Sequence, residues 1–98
     1  MSDLDKVLAR IDVDLDQALD RLFQTVRMKS ISIAPAYAAE TRACGEWHSK
    51  DLEGNGFTSE VRDAPGHPVV LAKNHDDAGT RELFYGHYDV QPADPLEL

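Results

Sequence analysis

The strongest constraint on the fold is an apolar repeat near the start of the chain. Leu4, Val7, Leu8, Ile11, Leu15, Leu19, Leu22, Phe23 and Val26 recur at spacings of three and four. That period belongs to a helix with one buried stripe. Ser2 stands where an N-cap belongs, and Asp5 three residues later completes the pattern of a capping box. Arg27 and Lys29 follow, where positive charge favours a helix C-terminus. Ser30-Ile31-Ser32-Ile33-Ala34-Pro35 then breaks the period and reads as an extended connection.

A second helix is predicted from about Pro35 to Glu53, with Ala39, Ala43, Trp47 and Leu52 sharing one face. Gly45 and His48 interrupt that face, and Gly54-Asn55-Gly56 ends the helix. Cys44 reads as a small apolar residue on a buried helix face, not as a reactive thiol. Trp47 likewise reads as core.

Three strands are expected next. Residues 57–62 alternate, with Phe57, Ser59 and Val61 on one side. Pro68 to Lys73 forms the second, its proline at the start where a missing N–H is tolerated. Glu82 to Gly86 forms the third, apolar enough to be buried on both faces. A turn at Ala64 to His67 and a polar loop from Asn74 to Arg81 connect them. After Asp89, Pro92 and Pro95 lead the chain out of the sheet. The fold class is therefore α/β, with two helices packed on the first strands of a sheet.

Composition excludes several classes of function. With 18 acidic against 10 basic residues and a net charge of −8, the chain lacks the basic surface that nucleic acid or an anionic membrane requires. No apolar run approaches the ~20 residues of a membrane helix. The N-terminus carries none of the basic and apolar regions of a signal peptide. Cys44 is the single cysteine, so no internal disulfide can form, and a cytoplasmic compartment fits best.

Chemistry concentrates at Phe84-Tyr85-Gly86-His87-Tyr88-Asp89-Val90-Gln91-Pro92. In extended chain, His87 and Asp89 point the same way. A neutral imidazole is the commonest metal ligand, and a carboxylate on its other nitrogen fixes the tautomer. Such a tripeptide also arises by chance, so a bland strand-end histidine is the competing reading.

The run from Leu83 to Leu96 resembles the first metal-site motif of a di-zinc metallopeptidase family. This family includes carnosine-type dipeptidases, succinyl-diaminopimelate desuccinylase, acetylornithine deacetylase and glutamate carboxypeptidase. Tyr-Gly-His-Tyr-Asp-Val-Gln-Pro looks most like its dipeptidase-like branch. The upstream order of elements is similar too, so the resemblance extends over essentially all 98 residues.

The resemblance implies that His87 ligates one zinc and that the catalytic residue Asp89 orients it. It implies a mixed sheet, the first two strands antiparallel and the third parallel beside the first. It further implies that residues 1–98 are the N-terminal part of a truncated catalytic domain, inactive at this length. The bridging aspartate, the glutamate pair with the general base, the second histidine and an inserted dimerisation domain would lie outside it. The reaction implied is hydrolysis of dipeptides or N-acyl amino acids with two zinc ions, in a homodimer formed through that inserted domain. His48, His67 and His75 read as solvated or structural. The alternative is a non-enzymatic α+β module that binds a partner through its sheet edge.

Overall fold

A reciprocal cap starts the first element. In the computed structural model, which describes residues 2–74 and 79–92, the Asp5 N–H donates to Ser2 Oγ at 3.1 Å and the Ser2 N–H donates to an Asp5 carboxylate oxygen at 3.3 Å. Two of the helix's orphan donors are thereby satisfied. Helix α1 runs Asp3–Val26. Its outer surface carries same-helix pairs one turn apart, Arg10 with Asp14 at 2.5 Å and Gln24 with Asp20 at 2.9 Å.

The apolar stripe of α1 is not buried, contrary to the sequence expectation. Leu4 is 66% exposed and Phe23 49%, and no α1 residue is buried. The helix meets the remainder near its C-terminal end. There Trp47 Nε1 donates to Gln24 Oε1 at 3.2 Å, and Arg21 lies 3.8 Å from Asp51. Periodicity dictates which side of a helix is apolar. It does not supply the surface that covers it, and the described residues offer none.

A 3-10 turn at Pro35–Tyr37 leads into α2, Ala38–Gly54. Asn55 caps the end, and Gly56 follows at φ +92°, a left-handed conformation that costs glycine little. The buried face of α2 is Thr41, Cys44, Gly45 and Ser49. The predicted face is displaced: Ala39 and Ala43 are exposed, and Trp47 and Leu52 are half-buried. Small side chains won because they allow close approach. An ideal Cβ on Gly45 would lie 3.1 Å from Tyr88 Oη. Their polar atoms are satisfied: Thr41 Oγ1 donates to the Tyr37 carbonyl at 3.0 Å, and the Ser49 and Ser59 hydroxyls pair at 2.7 Å.

Strands β1 (Thr58–Arg62) and β2 (Val69–Lys73) pair antiparallel, from Thr58 opposite Lys73 to Arg62 opposite Val69. Ser59 and Val61 of β1 and Val70 and Ala72 of β2 are the half-buried positions, as alternation demands. Helix α2 packs against both strands. The result is a small α/β unit of two helices and a two-stranded antiparallel sheet.

The third strand does not form. Residues 80–89 carry no strand pairing, and Leu83, Phe84 and Tyr85 are 95%, 88% and 90% exposed. The expected mixed sheet is thus absent among the described residues. Among the described residues, parallel pairing is limited to an isolated bridge between Ile31 and Val90. An apolar run becomes a strand only where a neighbouring edge accepts its hydrogen bonds. Residues 75–78, half of the polar loop and including His75, lie outside the described residues. No helix among them is long and apolar enough to cross a membrane.

The close contact at Gly45 sets a test. Gly45→Val should destabilise by about 1–3 kcal/mol, the usual range for overpacking. Gly54→Ala, where nothing lies within 4 Å, should be neutral or stabilising by up to about 1 kcal/mol. Urea denaturation of the two variants reads the difference, and equal effects would contradict the Tyr88 contact.

Candidate metal-ligand site

The site is assembled from two extended segments far apart in sequence. The Val90 N–H donates to the Ser30 carbonyl at 2.9 Å, and Ser30 Oγ donates to the Tyr88 carbonyl at 2.9 Å. Cys44 Sγ approaches the same carbonyl at 3.7 Å. The Tyr88 hydroxyl donates to the Pro68 carbonyl at 2.5 Å. Tyr88 is therefore held against α2 and the start of β2. His87 and Asp89, its neighbours on either side, share the opposite direction.

His87 Nδ1 lies 2.9 Å from Asp89 Oδ1. The second carboxylate oxygen, Asp89 Oδ2, accepts from Ser32 Oγ at 2.6 Å. The hydrogen bond from the Ser32 hydroxyl holds the Asp89 carboxyl below its ordinary range; burial opposes this, and the hydrogen bond to His87 adds a lesser lowering. An ionised carboxylate can only accept, so Nδ1 of a neutral His87 must carry the proton. The Nε2 lone pair is then free, on a side chain 73% exposed. This is the orientation of a metal-ligating imidazole with its outer carboxylate.

Beside the pair lies a cavity of about 590 Å³ between β2 and residues 83–89. Val69, Leu71, Leu83 and Phe84 form apolar wall, and Ser32 and His67 add polar atoms.

The other histidines have different partners. His67 Nε2 lies 2.5 Å from the Ser32 carbonyl, which commits that nitrogen to the backbone. His48 packs edge-on to Trp47 at 5.1 Å and 6.1 Å from the Tyr88 ring. Burial lowers its affinity for a proton, against a weaker opposing pull from Asp51. His75 lies outside the described residues. Cys44 is 1% exposed, and burial pushes its thiol up, away from reactivity. A catalytic zinc takes about three protein ligands. Among the described residues no three His, Cys, Asp or Glu side chains converge. The donor set present fits one zinc ligand with its outer carboxylate, not a whole site.

Sequence reasoning missed Ser30 and Ser32, which read only as parts of a connection. Their signal was the Ser-Ile-Ser-Ile alternation, which puts both hydroxyls on one side of an extended chain. No protein-family model, curated protein or solved structure matches this chain.

The half-buried His48 predicts a pH effect. Its folded-state pKa lies below the ordinary 6.5, so its contribution to stability is present above that value and lost as pH falls below it. Wild-type protein should lose urea resistance between pH values just above and well below 6.5. His48→Leu should lose less over the same interval. Identical pH slopes would show that His48 is solvated.

Proposed function

We propose that this chain is the N-terminal part of a cytoplasmic, zinc-dependent peptidase or amidohydrolase that cleaves dipeptides or N-acyl amino acids. In this reading His87 binds zinc through Nε2, and Asp89 holds the ring and strengthens it as a ligand. The observation that carries the proposal is the 2.9 Å contact of Asp89 Oδ1 with His87 Nδ1, which leaves the other ring nitrogen for a metal. The motif resemblance at residues 83–96 supplies the reaction class. The small α/β unit would be the start of a larger mixed sheet.

Zinc bound there would polarise a substrate carbonyl and lower the pKa of a bound water. The described residues contribute one ligand, its orientation and an adjacent apolar wall. Further ligands, a general-base glutamate and a dimerisation domain would come from residues outside this sequence. Because a single imidazole makes neither a closed nor a catalytic site, the 98-residue chain should bind zinc weakly and hydrolyse no dipeptide above background.

A second reading is a non-enzymatic α+β module. It is favoured by the exposed α1 stripe and by exposed Leu83, Phe84 and Tyr85, surfaces that a partner protein would cover.

The deciding experiment uses the gene product at its natural length, assayed for bound zinc and for hydrolysis of dipeptides and N-acyl amino acids. The expected result is zinc-dependent turnover. His87→Ala should remove nearly all of it together with zinc, and Asp89→Asn should reduce activity or zinc affinity by ~10–100-fold. His48→Leu should leave turnover near wild type. A natural-length protein that binds no zinc and cleaves neither substrate class would overturn the proposal in favour of the module.

A further inference from the structure

A carboxylate on an aspartate side chain turns about a broad, two-fold torsion. One contact to His87 does not set its plane. Asp89 has a second contact, the 2.6 Å hydrogen bond from Ser32 Oγ to Oδ2, short and charge-assisted. Ser32 is itself anchored. His67 Nε2 lies 2.5 Å from its carbonyl, and the preceding residue, Ile31, forms the bridge to Val90. The four groups make a continuous series: His67, Ser32, Asp89, His87.

We propose that Ser32 is a positioning residue, which fixes the Asp89 carboxylate so that His87 keeps its proton on Nδ1 and presents Nε2 outward. Its functional meaning rests on reading His87 as a metal ligand; its structural content does not. Ser30 and Ser32 divide the work. Ser30, 1% exposed, joins the backbones through Tyr88 and Val90. Ser32, half-buried, contacts the carboxylate. Loss of the Ser32 hydroxyl therefore releases the carboxylate and leaves the backbone pairing in place.

The test uses the 98-residue chain with labelled histidine, at about pH 8.5, where an ordinary imidazole is neutral. Nitrogen and carbon chemical shifts of the ring report the His87 tautomer. Wild type should be mainly the Nδ1–H form. Ser32→Ala should shift it towards the Nε2–H form that imidazole prefers in water, and Ser32→Thr should restore it. In an Asp89→Asn background, Ser32→Ala should have no further effect, because its action runs through the carboxylate. Unchanged amide signals of Cys44 and Val90 establish that the pairing persists. If Ser32→Ala disturbs them, Ser32→Cys, close in size and a weaker donor, carries the same expectations. An unaltered tautomer in the folded variant would overturn the proposal, and so would an equal shift with and without the Asp89 carboxylate.

A separate arm in the natural-length protein measures zinc affinity, expected to fall about 10-fold in Ser32→Ala. Absence of zinc binding in the unsubstituted natural-length protein would sink the metallopeptidase reading. The tautomer result would still decide the role of Ser32.

Discussion

The hydrogen bond from the Val90 N–H to the Ser30 carbonyl joins the connection after α1 to the segment that carries His87 and Asp89. With the bonds of Ser30 Oγ to the Tyr88 carbonyl and of the Tyr88 hydroxyl to the Pro68 carbonyl, it holds Tyr88 between α2 and β2. Residues 80–86 make no sheet of their own, so the position of the pair depends on these few contacts. The Ser32–Asp89 bond belongs to the same junction. Structure and candidate chemistry thus share one seam, made mostly of polar groups satisfied by backbone.

That seam explains the unusual interior. A helix face of Thr41, Cys44, Gly45 and Ser49 buries little apolar area, so hydrophobic burial contributes modestly here. Closeness and satisfied hydrogen bonds take its place. Each buried hydroxyl has a partner, which avoids the cost of an orphaned polar atom. The larger apolar side chains instead lie on α1 and at residues 83–85, facing away from the described interior. These exposed apolar groups are surfaces that the described residues leave uncovered.

Local features were legible in the sequence where their cause was local. The Ser2–Asp5 capping box needs four residues, and the glycine-rich stop at Gly54-Asn55-Gly56 needs three. That Ser59 and Val61 share one face follows from strand geometry alone. His87 and Asp89 share a direction because they are two apart in extended chain, and this places Nδ1 within 2.9 Å of the carboxylate. Leu83, Phe84 and Tyr85 failed as a strand because their composition states a preference for burial, whereas strand formation needs a partner edge.

The sequence by itself determined the two helices, the extended segments β1 and β2 and the direction of the His87–Asp89 pair, because each arises from neighbours within a few residues. Tertiary structure alone decided which face of α2 is buried, that the α1 stripe stays uncovered, and that Ser32 reaches Asp89 from 57 residues away. The physical reason is the range of the interactions. Periodicity and capping act along the chain, whereas choosing the small-residue face depends on where the Tyr88 ring arrives, and that is settled only when distant segments meet.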